Sequence, residues 1–186
     1  MASSVTPEAY LDELLDRYRA NFDISAPYRV GERTYPAYAR FFSLGEKYVL
    51  KKEAKLWAIR AYEHVFFITA ERMSADDLPQ IRREIEEHIE PELVRNKEKY
   101  PEKDHMSSYL TFVIICEKTP DDEIQKAVKK FSYDRGYLLG FRGHSQARIA
   151  CAFLDNESVL TNYAGKELKK LLTNIFTKIN KEGKAT

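Results

Sequence analysis

Glycine is scarce in this sequence, at seven of 186 residues, and cysteine scarcer, at two. The glycines form neither a P-loop nor a Gly-x-Gly-x-x-Gly fingerprint, which argues against nucleotide binding by those routes. Cys116 and Cys151 both stand inside apolar runs, without the neighbours that a disulfide or metal would need. They read as inert, buried thiols of a reducing compartment, so a cytoplasmic location is expected. No basic segment followed by an apolar one opens the chain, and no apolar run approaches the roughly 20 residues that span a bilayer. No membrane partner is expected. The four histidines, His64, His88, His105 and His144, are scattered. Glu84 and His88 are four apart on one helix face, but in a segment dense in Glu and Arg they read as a solvated pair, so neither metal nor cofactor is expected. Charge of one sign is missing too: 30 basic and 29 acidic residues leave a net +1, no global drive toward nucleic acid or a membrane.

What is present is apolar mass. Hydrophobic residues make up 44%, with 12 Tyr and 10 Phe, enough for a sizeable core in one domain spanning 1–186. Thr6 and Pro7 open a helix over 6–21, with Tyr10, Leu11, Leu14, Leu15 and Tyr18 at helical spacing. Between 28 and 70 the period changes to two. Turns at Gly31-Glu32 and at Leu44-Gly45-Glu46 divide it into strands 28–30, 34–43 and 47–51. Two further strands, 54–59 and 64–69, complete an antiparallel meander. Trp57 is expected on its apolar face beside Ile59. Helices follow over 75–99, with Pro91 expected to break or kink them. The nearly unbroken apolar run within 107–117 predicts a central strand covered on both faces. A helix over 120–131, strands within 137–154 and a last helix over 165–180 complete the order. The fold class is therefore α+β: a mixed, largely antiparallel sheet with an N-terminal meander and a βαβ-like part, and helices packed against it. The order is also compatible with a restriction-endonuclease-like topology.

Several short words carry a resemblance: Lys55-Leu56-Trp57-Ala58, Lys126-Ala127-Val128-Lys129-Lys130-Phe131, Gly140-Phe141-Arg142-Gly143, and Thr161-Asn162 through Gly165-Lys166-Glu167. On these the chain resembles a family of bacterial and archaeal proteins of unknown function. The resemblance implies a stand-alone cytosolic domain and no particular activity.

Charge is distributed unevenly. Residues 28–60 carry eight basic and three acidic side chains, a net +5, and residues 126–148 carry six and one, again +5. Residues 71–104 carry seven and eleven, a net −4. The basic segments either share a face that attracts an anion or nucleic acid, or dress strand edges against aggregation. Within the first of them, Glu53 and Lys55 alternate on a strand, as a metal-dependent nuclease site would need. A second acid is wanting, since Glu32 and Glu46 fall at predicted turns. Within the second, Arg142, His144 and Arg148 surround a turn between apolar strands. Two guanidinium groups and an imidazole there could hold a carboxylate or phosphate. The sequence therefore reads first as a non-enzymatic binding or regulatory domain for an anionic ligand or a protein partner. A homodimer through aromatic strands is a second expectation. A nuclease-like enzyme is the alternative, with nucleic acid left open as a partner.

Overall fold

The computed structural model describes residues 5–47 and 57–182. Helix α1 (Pro7–Tyr18) begins where the sequence places it: Thr6 Oγ1 accepts from the Ala9 N–H at 3.2 Å, a cap worth about 1 kcal/mol. Then come β1 (Asp23–Ser25) and a ribbon of β2 (Tyr28–Val30) and β3 (Arg33–Tyr35) turned at Gly31, whose φ is +56°. The antiparallel pair β4 (Ala37–Lys47) and β5 (Trp57–Ala70) follows. Helix α2 (Asp77–Glu84) runs directly into a π-helix (Ile85–Val94) and leads to β6 (His105–Cys116), parallel to β5. Helix α3 (Asp122–Lys130), β7 (Asp134–Gly136) and a 3₁₀ turn (Leu138–Gly140) lead to β8 (His144–Phe153), parallel to β6. The chain closes with β9 (Ser158–Thr161) and α4 (Leu168–Glu182).

The fold is α+β, with one mixed seven-stranded sheet in the order β1-β4-β5-β6-β8-β7 and β9 also on β8. Most strand pairs are antiparallel; only β5–β6 and β6–β8 are parallel, and each is joined through helix. Alternate side chains of the central strands enter two cores. Phe66, Leu110, Phe112 and Ile149 pack under α2, the π-helix and α3, whereas Val65, Phe67, Val113 and Ala150 pack under α1 and α4. Burial on both faces is why β6 reads as an unbroken apolar run.

Several sequence expectations are corrected. The strands expected at 54–59 and 64–69 are, within the described residues, one strand, β5; Arg60–Glu63 does not turn, because β4 and β6 pair with it on either side. The turn at 44–46 is likewise strand, paired with Arg60–Ala58. The strand expected at 34–43 is divided at Pro36, which has no N–H to give to a ladder. The segment at 137–141 is a tight turn in which Leu138, Leu139 and Gly140 all have positive φ. The helices of 75–99 end at Val94, and Pro91 does not break them. The i→i−5 spacing of a π-helix opens the turn around a residue that has no N–H, and the Arg95 N–H reaches the Glu90 carbonyl. The Trp57 side chain lies outside the described structure.

Asn162 joins three elements. Its Oδ1 accepts from the N–H groups of Ile149 (2.9 Å) and Gly165 (2.8 Å), and its Nδ2 donates to the carbonyls of Phe131 (3.1 Å) and Ala147 (3.2 Å). It is 2% exposed, and a Cβ on Gly165 would lie 2.6 Å from the Ile149 carbonyl oxygen. The word Thr161-Asn162 through Gly165 is thus a structural clasp. Asn162→Ala should lower stability by about 2–3 kcal/mol, since it strands buried backbone groups. The urea midpoint measures this, and a loss under about 0.5 kcal/mol would contradict the clasp.

Candidate functional site: a cleft beside Arg148

Three parallel strands place polar side chains at one height. In register, Glu63 faces Tyr109 and Gln146, and one step further Thr111 faces Arg148. All project to the α1 and α4 side, beyond the apolar stretch those helices cover. Thr111 Oγ1 donates to Glu63 Oε1 at 2.9 Å. The Arg148 guanidinium carbon lies 3.6 Å from the centroid of the Tyr109 ring, a desolvated cation–π contact. Arg148 Nη1 stands 3.6 Å from Glu63 Oε1, too far for a strong hydrogen bond, and its Nε is buried with no hydrogen-bond partner. The two side chains are only 15% and 18% exposed. A half-buried cation is thus incompletely satisfied by its own chain.

This pair borders a cleft of about 330 Å³ whose other walls include Phe22, Leu168 and Leu171, with Arg17 and Glu167 at its edge. Tyr18 lies against it; burial first, then the charge of Glu63, raises its phenol well above the usual range. The first turn of α4 borders the cleft, and its dipole adds positive potential there.

His144 and Arg148 share a face of β8, as residues four apart on a strand must. Both touch Tyr109, the His144 ring edge-on with 6.4 Å between centroids. Arg142 does not join them. It precedes the turn made by Gly143 (φ +72°), where a Cβ would lie 2.2 Å from the Met106 carbonyl oxygen. Its Nη1 donates to the Pro101 carbonyl at 2.8 Å, and its own carbonyl meets His105 Nδ1 at 2.7 Å. Arg142 therefore braces a loop on the far side. Glu53 and Lys55, on which the nuclease reading rests, lie outside the described residues. Glu84 bonds Arg33 and Tyr35, and His88 lies beside Glu92 instead. Among the described residues no group of three or more His, Cys, Asp or Glu is placed to hold a metal. Both cysteines are free and buried; burial pushes the Cys116 thiol up to about 12 and raises that of Cys151 as well.

Glu63, Tyr109 and Thr111 escape a reading of the sequence. Glu63 sits at an expected joint, and the other two lie inside an apolar run. A usable signal exists in retrospect: Glu63 is the one acid in β5 and Arg148 the one formally charged residue in β8. A lone charge inside an apolar strand needs a partner across the sheet.

The opposite face carries a second polar set, built around the fully buried Glu90. Glu90, on the π-helix, accepts from Arg95 Nε (2.8 Å), Arg135 Nη1 (3.1 Å) and Tyr137 Oη (2.8 Å). His64 shares a hydrogen bond with Tyr38 Oη at 2.7 Å, while its Nε2 has no partner. A bulge at Met106 turns His105 toward Ser108 Oγ at 2.8 Å. These groups brace the core, whereas the cleft beside Arg148 opens to the surface.

A family model described as a domain of unknown function, DUF8052, matches residues 6–174. No curated protein matches the chain, and neither does any solved structure. No helix of the described residues is long and apolar enough to cross a membrane.

Proposed function

We propose that this chain, which belongs to the DUF8052 family, is a binding or regulatory domain whose ligand is a small anion with an apolar portion. The anionic group sits against Arg148, whose guanidinium stacks on Tyr109, and the apolar portion lies along Phe22, Leu168 and Leu171. The observation that carries this reading is Arg148: a guanidinium 15% exposed, 3.6 Å from Glu63 and with an unpartnered Nε, at the mouth of a cleft. Charge-assisted bonds to a carboxylate or phosphate are roughly twice as strong as neutral ones, and stronger in a site already partly stripped of water. Thr111 holds Glu63 to one side, so the ligand meets a fixed cation instead of a collapsed ion pair. Free, buried thiols fit the reducing cytoplasm, where we place the domain.

Thermal-shift screening of carboxylates and phosphate esters, with and without an alkyl or aryl group, tests this. A ligand at roughly 100 times its Kd should stabilise the protein by about 2.7 kcal/mol, with the melting temperature rising roughly 2–4 °C per kcal/mol. The gain should vanish in Arg148→Gln and persist in Arg142→Gln. A ligand that stabilises Arg148→Gln as much as the wild type would place the site elsewhere.

A further inference from the structure

Six of the seven exposed large apolar side chains among the described residues gather at one end of the sheet, where β5, β6 and β8 begin. Phe42 and Leu44 stand on β4 opposite Tyr62 and Arg60. Met106 is the bulged residue of β6. Leu138, Leu139 and Phe141 form the turn before β8. Leu139 is 98% and Phe141 80% exposed, so they are presented to solvent almost whole.

The turn holds them there. Leu138 and Leu139 have φ of +49° and +53°, a conformation that a leucine adopts only when its surroundings impose it. The imposing bonds are present: the Tyr137 N–H to the Gly143 carbonyl, the Arg142 N–H to the Tyr137 carbonyl, and Arg142 Nη1 to Pro101. A protein that merely tolerated a surface turn would have glycine or asparagine at such positions. Here strained backbone displays leucine.

Charge accompanies the apolar tip. Arg142 adjoins Lys99 and Lys103 along one surface groove. Glu102 and Asp104 share Arg60, at 2.6 and 2.9 Å, so Arg60, Lys99, Lys103 and Arg142 face Glu98, Glu102 and Asp104 with a net +1.

We infer that this end of the protein is a peripheral docking surface for an anionic lipid bilayer, with Leu139 and Phe141 entering the interface and Lys99, Lys103 and Arg142 set toward the headgroups. Surface docking needs no spanning segment; it needs apolar side chains that reach past the headgroups and cations beside them. Self-association suits the patch less well. A two-fold interface sets the patch against a copy of itself, so its excess of positive charge faces the same excess, whereas an anionic surface neutralises it. The inference is independent of the ligand proposed for the Arg148 cleft.

Co-sedimentation with phosphatidylcholine vesicles, with and without phosphatidylserine, tests it on the whole chain. The wild type should pellet with the serine-lipid vesicles, less so as salt rises, and barely with phosphatidylcholine alone. Leu139→Gly with Phe141→Ser should weaken partitioning by about tenfold or more, as the loss of two buried apolar side chains requires. Its melting temperature should stay unchanged or rise, because glycine relieves the positive φ. Lys99→Glu with Lys103→Glu should abolish the preference for the anionic vesicles. The inference is overturned if the wild type pellets with neither vesicle, or if Leu139→Gly with Phe141→Ser binds as well as the wild type. It is equally overturned if gel filtration with light scattering finds a wild-type dimer that those two substitutions convert to monomer.

Discussion

Replacing Glu90 by alanine should lower folding stability by about 3–5 kcal/mol, the range for breaking one side of a buried ion pair. Glu90 has no exposed surface and accepts from two arginines and a phenol. With the carboxylate gone, Arg135, which is 46% exposed, can swing out to water. Arg95, at 18%, stays largely enclosed, and Tyr137 keeps only Ser145 Oγ at 2.7 Å. Burial, offset in part by the Ser145 contact and reinforced by Glu90, raises the Tyr137 phenol well above the usual range, so it remains a neutral donor. The carboxylate also holds the wide turn. It fills the inward position between Ile89 and Val94, which the 4–5 residue spacing of the π-helix brings to the core. Glu90→Gln keeps the shape without the charge and should lose about half as much. Urea unfolding of the three proteins measures this; a loss below about 1 kcal/mol for Glu90→Ala would mean the network is not a brace.

Acid should destabilise the protein between pH 6.5 and 3 through His64. Burial, then the Arg40 and His105 charges, lowers its imidazole pKa from 6.5 to about 3. The groups around it are Tyr38 and Arg40 of β4, Tyr62 of β5 and His105 of β6. As pH falls through 6.5 the unfolded chain binds a proton that the native state refuses. The loss of stability is therefore about 1.4 kcal/mol per pH unit, or roughly 2 kcal/mol by pH 5, and it levels off near the native value. His105, whose pKa burial also lowers, adds to the same trend. His64→Phe removes the titrating ring and the unpartnered Nε2 together, though it leaves Tyr38 Oη without its ring nitrogen. Urea midpoints measured from pH 7 down to pH 4 should fall steeply for the wild type and clearly less for His64→Phe. Parallel curves would show that His64 is not the sensor.

These two expectations rest on groups with no mark in the sequence. Glu90 is one of many acids in a charged helical stretch, and the proline after it reads as a helix end. Only the packed sheet makes a π-turn there worth its strained hydrogen bonding. His64 reads as one residue of an alternating strand; its burial follows from β4, β5 and β6 lying side by side. The same holds for the cleft. His144 and Arg148 are four apart, so strand periodicity alone puts them on one face, and that much of the anion-site reading is legible locally. Arg142 is six residues from Arg148 and looks equally eligible, but the positive φ at Gly143 turns it away.

The sequence by itself determined the elements whose cause lies within one or two turns of chain. The Thr6 cap with Pro7 begins α1, the acids after Pro120 begin α3, the apolar run of β6 marks a strand buried on two faces, and leucines and isoleucines at helical spacing make α4. These follow from capping, dihedral preference and periodicity, which act between near neighbours. The tertiary structure alone decided which strands are parallel, where β5 runs on without turning, that Leu138 and Leu139 stand out of a strained turn, and which acid meets Arg148. Each depends on chain brought together from far apart: Glu63 and Arg148 are separated by β6, β7 and two helical segments, and meet only because β6 lies between them in the sheet. A lone charge in an apolar strand requires a partner, but only the order of strands in the sheet supplies it.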